Sequence, residues 1–362
     1  MRITFILPTV NMSGGIRVVA IYAKALSERG HTVTLVSPPP IRITLRFKIK
    51  SILTGKPWVS NRESHVDGLG LEHLVLDRWR PIIDADVPDA DVVIATWWET
   101  AEWVSELSAR KGVKVYFIQH HEVHEHLPVE RCRATYYMPL HKIVIAKWLK
   151  NVMRDKYGDE DVDLVPNSVD HAHFFFNFRG KQTIPTVGFL FSSSKFKGVD
   201  VTLKAISKLR ETFPNLRVIS FGSVKPSRDV KFDSQIEFYY SPAQDRIRDL
   251  YSQCDAWLTA SRTEGFNLPA MEAMACGTPV VSTKAGWPEE AVLTGINGVL
   301  VDVDDVEAFK QGVASVLTLT DDAWREMSRY AHETVATSSW RDSADQFEMA
   351  LERVCQGSDT TL

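Results

Sequence analysis

The sequence has little cysteine and no large excess of charge of either sign. Four cysteines are scattered along 362 residues without a paired spacing, at Cys132, Cys254, Cys276 and Cys355. This pattern argues against a disulfide framework and predicts a reduced, cytoplasmic protein. The net charge of −4 gives no global positive field that would draw the chain to nucleic acid, so any basic surface must be local.

Long apolar runs are also missing. No stretch approaches the roughly 20 apolar residues that a membrane-spanning helix needs. The first ten residues, MRITFILPTV, carry one basic residue and a very short apolar run, so we expect a first strand there and not a signal peptide. The chain is 44% hydrophobic and 24% charged, and its length allows two soluble α/β domains.

The residues that suggest chemistry concentrate in positions 260–283, ASRTEGFNLPAMEAMACGTPVVST. The short run 256–259 predicts a strand, and a polar loop follows it. Pro269 suits the first turn of a helix, where a backbone N–H has no intrahelical acceptor to lose. Gly277 suits the position just after that helix, which often takes a left-handed conformation. The pattern predicts a strand, a loop, a helix and a further strand.

The loop before this helix is predicted to bind an anion. Four backbone amides lie at the predicted helix N-terminus, those of Gly265, Phe266, Asn267 and Leu268. Such amides lack intrahelical acceptors, and the helix dipole is positive there. Two carboxylates flank them, Glu264 in the loop and Glu272 about one turn into the helix. Because carboxylates accept hydrogen bonds from hydroxyls, the arrangement suggests a phosphate with a sugar on one side and a ribose on the other.

The chain begins with a strand, loop, helix and strand in succession. The run 3–7 predicts a buried strand, residues 18–29 a helix, and residues 32–36 the next strand. This βαβ unit predicts a Rossmann-like domain. Gly14 and Gly15 lie in the predicted loop, where glycine allows the backbone to approach a ligand closely; a plain strand-to-helix turn is the alternative.

Residues 264–280, EGFNLPAMEAMACGTPV, resemble the donor-binding signature of retaining glycosyltransferases of family GT4, which have the GT-B fold. Two glutamates separated by seven residues are a weak pattern alone. The adjoining Gly-Phe pair, the Ala-Met-Ala run and the Gly-x-Pro-Val segment make the resemblance specific. A buried α/β turn with incidental acids is the alternative. Residues 166–174 further resemble the family's crossover between domains, with Ser168 where glycine is usual.

The resemblance implies an α/β fold of two Rossmann-like domains whose parallel sheets face each other across a cleft. We place an acceptor-side domain in residues 1–170 and a donor domain for the nucleotide sugar in residues 171–339. Residues 340–362 are expected to form a last helix that crosses back to the first domain.

The loop after the first strand of the second domain departs from the family pattern. Relatives carry an arginine five residues before a Lys-Gly pair, and both cations neutralise the leaving diphosphate. Lys197 with Gly198 resembles that pair, whereas Ser192 stands at the arginine position. Lys195 is the candidate substitute, although lysine lacks the bidentate fork of arginine. A surface lysine pair is the alternative.

The resemblance also implies roles for the other candidate residues. Glu264 is expected to bind hydroxyls of the donor sugar, and Glu272 is expected to bind the ribose. Lys197 and the amides of residues 265–268 would stabilise charge on the leaving diphosphate. His120, with His121 as the fallback, would contact the donor sugar. The loop with Gly14 and Gly15 would face the donor diphosphate.

Residues 119–126 contain four histidines and two acids, a composition that suggests a metal site. Their order lacks a recognised metal spacing. The carboxyl end of a parallel strand is also where active-site residues of α/β proteins gather. We therefore predict no metal and no cofactor, with the nucleotide-diphosphate sugar as a substrate.

Residues 42–62 carry six basic side chains and no acidic one. One interpretation is a solvated edge of the domain. The other is an acceptor-side surface that contacts anionic lipid or a lipid-linked diphosphate, where each basic residue contributes about 1 kcal/mol. The second interpretation predicts a cytoplasmic protein peripheral to the inner membrane face.

Together these features predict the retaining transfer of a hexose-type sugar to a hydroxyl of a sugar or lipid-linked acceptor, in cell-surface glycan or glycolipid synthesis. Another GT-B enzyme, such as a sugar-nucleotide epimerase or a glycan phosphorylase, is one alternative. A sugar-nucleotide-binding protein with little catalysis is the other. Ser192 favours that last alternative, and the presence of Lys197, Glu264 and Glu272 opposes it. No nucleic-acid partner is expected.

Overall fold

The computed structural model describes residues 1–40, 63–125, 127–227, 230, 232 and 234–359. Within them the chain divides into two compact units. The first unit contains the described residues up to Asn167 and the last helix, and the second runs from Ser168 to Ser339. The basic stretch 42–62 and His126 lie outside the described residues.

The described strands of the first unit form one parallel sheet. They are β1 (Arg2–Ile6), β2 (Thr32–Ser37), β3 (Glu72–Val75), β4 (Val92–Ala95), β5 (Val113–Ile118), β6 (His141–Val144) and β7 (Val162–Leu164). Their order is β3-β2-β1-β4-β5-β6-β7. Most of these strands are apolar and buried, as expected of a parallel sheet covered by helices on both faces.

Helices connect these strands. They are α1 (Gly14–Glu28), α2 (Trp98–Glu106), α3 (Val129–Thr135) and α4 (Lys147–Tyr157). Helix α4 ends at Tyr157 and is followed by Gly158, whose φ of +70° is the left-handed conformation that commonly closes a helix.

The second unit repeats this plan. Its strands are β8 (Thr186–Leu190), β9 (Arg217–Gly222), β10 (Ile236–Tyr240), β11 (Ala256–Thr259), β12 (Val280–Thr283) and β13 (Gly298–Val301). All are parallel, in the order β10-β9-β8-β11-β12-β13. Its helices are α5 (Val199–Thr212), α6 (Gln244–Ser252), α7 (Leu268–Ala275), α8 (Pro288–Ala291), α9 (Val306–Leu317) and α10 (Asp321–Val335).

Each sheet reverses its strand order at one point, between β1 and β4 in the first and between β8 and β11 in the second. The predicted fold class, α/β with two Rossmann-like units and parallel sheets, is confirmed. Ligands of such sheets bind outside the carboxyl ends of the strands at the reversal. The loops after β8 and β11 therefore flank the expected ligand position of the second unit.

The last helix, α11 (Trp340–Asp359), packs on the first unit. The Phe347 ring stacks on Tyr22 of α1, with 4.6 Å between ring centroids, and meets Phe117 of β5 edge-on at 5.0 Å. His31 Nε2 lies 2.6 Å from a carboxylate oxygen of Glu348. Phe347 is fully buried, so the helix contributes to the core of this unit.

Two elements differ from the sequence-based expectation. Helix α1 begins at Gly14 and not at Val18, so Gly14 and Gly15 occupy its first turn and do not form a loop. Neither has a positive φ, because both lie within the helix, which follows the capping residue Ser13. Strand β3 was not predicted, since its sequence EHLV has no apolar run and three of its four residues are exposed. None of the helices in the described ranges is long and apolar enough to cross a membrane.

Candidate functional site

The second unit brings Lys197 and Glu264 into direct contact. Lys197 Nζ lies 2.7 and 2.8 Å from the two carboxylate oxygens of Glu264. Ser261 donates a hydrogen bond from Oγ to Glu264 Oε1 at 2.7 Å. The Glu264 side chain is 6% exposed and that of Lys197 is 24% exposed. Such partners are needed here, because burying a carboxylate without them is costly.

Gly198 allows the two loops to approach each other. Its φ is +61°, and a Cβ atom built on it would lie only 1.7 Å from the carbonyl oxygen of Ala260, at the end of β11. No other residue type fits that space or readily takes that conformation. The contact between Lys197 and Glu264 therefore depends on glycine at the second position of the Lys-Gly pair.

The backbone turns sharply just before α7. Asn267 has a left-handed conformation, with φ +84° and ψ +60°, which asparagine tolerates better than most residues. Its side-chain Nδ2 donates to Thr259 Oγ1 at 2.8 Å. Helix α7 then starts at Leu268 with a proline in its first turn, so residues 265–268 lead directly into the helix N-terminus as predicted.

The loop after β12 supports the residues around Glu264. Phe266 is buried and stacks on Trp287 with 5.6 Å between ring centroids, and Trp287 N donates to Phe266 O at 2.8 Å. Gly286 has a φ of +72°, and a Cβ atom there would lie 2.7 Å from Glu264 Cβ. Close packing on this side therefore restricts where the Glu264 side chain can lie.

Glu272 is buried on α7 and held from α6. Tyr251 donates from its hydroxyl to Glu272 Oε2 at 3.0 Å. The Tyr251 side chain is fully buried against Phe221 and Trp257. Sequence reasoning missed Tyr251, because a lone tyrosine on an amphipathic helix carries no motif. Because the Tyr251 ring is held by packing, its hydroxyl orients the Glu272 carboxylate.

Lys195 and Ser192 lie in the loop after β8. Lys195 begins a 3-10 turn, Lys195–Lys197, and its side chain is exposed. Ser192 Oγ accepts a hydrogen bond from Ser194 N at 3.2 Å. The serine is therefore engaged within its own loop and brings no positive charge to the position where the family pattern has arginine.

In the first unit the glycines of α1 lie next to the end of β5. A Cβ atom on Gly15 would lie 3.7 Å from the side-chain amide of Gln119, whereas one on Gly14 would meet nothing within 4 Å. His120 is half-buried, its Nδ1 lies 3.1 Å from His121 O, and its ring centroid is 4.7 Å from that of His124. Gly15, Gln119 and His120 are thus neighbours at the carboxyl edge of this sheet.

His121 is engaged by tyrosines of its own unit. Its Nε2 lies 2.7 Å from the hydroxyl of Tyr157, and its ring packs on Tyr136. Burial, with the nearby positive charge of Lys156 as a smaller cause, lowers the pKa of His121 to about 4. The imidazole is therefore neutral at pH 7.

Glu122 was not singled out from the sequence. Its buried carboxylate accepts hydrogen bonds from Trp98 N at 2.8 Å and from the Tyr116 hydroxyl at 3.1 Å. Burial raises the pKa of Glu122 well above its usual range. Its own N–H donates to the Tyr136 hydroxyl at 2.8 Å, so the loop after β5 is anchored to α2 and α3.

In the described part of residues 119–126, and in the rest of the described chain, no group of three or more histidine, cysteine, aspartate or glutamate side chains is arranged to hold a metal ion. That the protein needs no metal stays a prediction, and so do the individual roles of the candidate residues.

Residues 173–334, nearly the whole second unit, match the family model described as Glycosyl transferases group 1. The match contains Lys197, Glu264 and Glu272. Over these residues the chain is similar to the glycosyl transferases group 1, and the family resemblance predicted from residues 264–280 is confirmed.

Curated relatives match the chain in part. The D-inositol 3-phosphate glycosyltransferase of Corynebacterium urealyticum is 30% identical over 174 residues, which cover 44% of this chain and 41% of the relative. The protein of the same name from Mycolicibacterium smegmatis is 29% identical over 206 residues, which cover 53% of this chain and 45% of the relative. The chain thus spans less than half the length of these relatives.

Solved structures resemble the chain over nearly its full length. Sucrose-phosphate synthase from Thermosynechococcus elongatus matches with a TM-score of 0.74 and 16% identity, over 99% of this chain and 100% of that one. HepE from Anabaena, in complex with UDP and glucose, matches with a TM-score of 0.74 and 15% identity. The match covers 98% of this chain and 100% of HepE. At these identities the likeness shows the fold alone.

Proposed function

We propose that the protein transfers a sugar from a nucleotide-diphosphate sugar to an acceptor hydroxyl, with retention of the anomeric configuration. The Lys197–Glu264 contact at the strand reversal of the second sheet is the observation that carries this proposal. A cation for a phosphate and a carboxylate for sugar hydroxyls lie side by side there, within residues that match a glycosyltransferase family. Residues 171–339 would hold the donor, and residues 1–170 the acceptor.

Each candidate residue has a distinct task in this reaction. The Lys197 ammonium and the amides of residues 265–268 stabilise negative charge on the leaving diphosphate, where preorganised donors are most effective. Glu264 accepts hydrogen bonds from donor-sugar hydroxyls, and Glu272 accepts them from the ribose. Lys195 supplies a second cation near the diphosphate. His120 contacts the sugar from the first unit, and Gly14 and Gly15 line the approach to the diphosphate.

The bond changes follow a same-face course. The bond from the anomeric carbon to the diphosphate oxygen breaks, and its electron pair leaves with the nucleoside diphosphate. The acceptor oxygen forms the new bond to the anomeric carbon on the same face, and its proton passes to the departing phosphate. No covalent intermediate with the protein is needed. We also propose that no metal is needed, because Lys197 and the amides carry the charge stabilisation.

The names of relatives suggest the first substrates to try. HepE is described in complex with UDP and glucose, and TarM of S. aureus in complex with UDP and a sugar–glycerol compound. UDP-sugars are therefore the first donors to test, against sugar and lipid-linked acceptors. A peripheral contact with the anionic inner membrane face through residues 42–62 belongs to the same proposal.

The first experiment is thermal denaturation with UDP, GDP, ADP, dTDP or CMP, with and without a chelator, followed by a transfer assay with the matching sugar donors. Stabilisation by one nucleotide, unchanged by the chelator, would support a metal-independent transferase. If no nucleotide stabilised the protein, the proposed donor site would be wrong. Nucleotide binding without transfer or donor hydrolysis would favour a sugar-nucleotide-binding protein, the alternative suggested by Ser192.

A further inference from the structure

Arg262 lies in the loop after β11, between Ser261 and Glu264, and its side chain contacts the loops after β8 and β13 and the first turn of α5. Its Nη1 donates to Lys195 O at 2.6 Å. Both terminal nitrogens reach the carboxylate of Asp200, each at 3.0 Å. Its Nε lies 2.8 Å from an oxygen of Asp304, in the loop after β13. A single side chain thus connects the loops that follow β8, β11 and β13.

The backbone of Arg262 adds to the same connection. Its N–H donates to Phe196 O at 2.7 Å. Two successive carbonyls of the turn that carries both candidate phosphate cations are therefore held by this one residue. Lys195 O accepts from the guanidinium and Phe196 O from the main chain, with Lys197 next in sequence.

We infer that Arg262 is the positioning residue of the donor site, which sets the Lys195–Lys197 turn at the distance from Glu264 that phosphate and sugar recognition requires. This inference rests on the function proposed above. Arg262 itself is not a candidate for contact with the donor. Two carboxylates and one carbonyl already occupy its guanidinium, so it acts through the loops that it joins.

The chemistry of arginine suits this task better than that of lysine. A planar guanidinium offers five donors in a fixed geometry, so it can hold a bidentate carboxylate and two further acceptors at once. An ammonium group has three donors on one atom and would lose at least part of this set. The geometry of the loops is therefore expected to depend on the fork and not only on the positive charge.

The second unit offers a matched control. Arg217, the first residue of β9, makes a bidentate pair with Glu237 at 2.6 and 2.8 Å and also reaches Gln253 at 3.1 Å. The side chains of Arg217 and Arg262 are both 31% exposed. Arg217 lies at the amino edge of the same sheet, so its loss removes a similar ion pair at the edge opposite to the donor loops.

The test compares wild type with Arg262→Ala, Arg262→Lys and Arg217→Ala. Hydrogen–deuterium exchange of the ligand-free proteins reports on a peptide that covers residues 192–200, and steady-state kinetics report kcat and the donor KM. We expect faster exchange in that peptide and a fall in kcat of about 100-fold for Arg262→Ala, since a small misplacement of a catalytic group costs that much. Arg262→Lys should recover part of kcat. The kcat of Arg217→Ala should stay within about 2-fold of the wild-type value.

The outcomes separate the inference from the function. The positioning role would be overturned if Arg262→Ala and Arg217→Ala showed equal exchange in residues 192–200 and an equal fall in kcat. In that case sugar transfer by the wild type would still support the proposed function. A wild type that neither binds a nucleotide nor transfers sugar would overturn the proposed function. The exchange comparison needs no donor, so it still decides whether Arg262 holds the turn.

Discussion

The Lys197 ammonium contacts both carboxylate oxygens of Glu264, although the two residues are 67 positions apart in the chain. Each residue is a candidate for binding the donor, and each is the other's charge partner. Removing one of them therefore changes both the stability of the loops and the chemistry of the site. A double substitution can separate the two effects.

We expect Lys197→Met to lower kcat by about 100-fold, because one preorganised donor to the leaving group is lost. We also expect it to destabilise the protein by about 1–3 kcal/mol, since the buried Glu264 carboxylate keeps Ser261 but loses its cation. The double variant Lys197→Met/Glu264→Gln should regain stability without regaining activity. Urea denaturation and transfer assays give both quantities. Stability and activity that recover together in the double variant would contradict separate roles.

Nucleoside diphosphate affinity distinguishes the two glutamates. Glu272→Ala should weaken binding of the matching diphosphate, because the ribose loses its acceptor. Tyr251→Phe should weaken binding by about 5-fold, the equivalent of one hydrogen bond of about 1 kcal/mol that orients the carboxylate. Isothermal titration calorimetry measures both.

Glu264→Gln is the control for that titration. It should retain diphosphate affinity, since Glu264 is assigned to the donor sugar, which a nucleoside diphosphate lacks. Full diphosphate affinity in Glu272→Ala, or its loss in Glu264→Gln alone, would mean that the two assignments are wrong.

Gly198→Ala should lower the free energy of unfolding by at least about 2 kcal/mol, because the residue has a positive φ and its new Cβ would overlap the Ala260 carbonyl. Gly295→Ala is the matched control. Gly295 also has a positive φ, of +82°, but a Cβ there meets nothing within 4 Å, so the cost should be about 1 kcal/mol from backbone strain alone. Thermal and urea denaturation compare the two variants. An equal loss of unfolding free energy in both would show that the loops shift enough to remove the overlap between the new Cβ and the Ala260 carbonyl.

His121 should make the stability of the protein depend on pH. Burial lowers the pKa of His121 to about 4 in the folded state, against an ordinary value of about 6.5 for an exposed imidazole. Between these values the unfolded chain binds more protons than the folded one. Stability is therefore full above pH 6.5 and falls as the pH drops from 6.5 to 4.

The comparison of wild type with His121→Gln isolates this contribution from that of the other histidines. The wild-type Tm should fall further between pH 7 and pH 5 than the Tm of the variant, measured in matched buffers. Identical falls in Tm would show that His121 is not buried in its neutral form.

Much of the second unit could be predicted because its information is local. The short run 256–259 predicted β11, the pattern after it predicted α7 and β12, and Gly277 marked the end of α7. Weak local signals explain the misses. Strand β3 is a mostly exposed edge strand without an apolar run, and the two glycines that open α1 were mistaken for a loop because glycine disfavours helix interiors.

The sequence by itself determined the family resemblance, the α/β class and the segment that carries Glu264 and Glu272, because motif spacing and apolar periodicity are properties of neighbouring residues. Only the tertiary structure decided which side chains meet. The pairing of Lys197 with Glu264 and the three-loop contact of Arg262 both require that β8 lie beside β11 with their carboxyl ends on one edge. That strand order results from packing between residues distant in sequence, so no local pattern contains it.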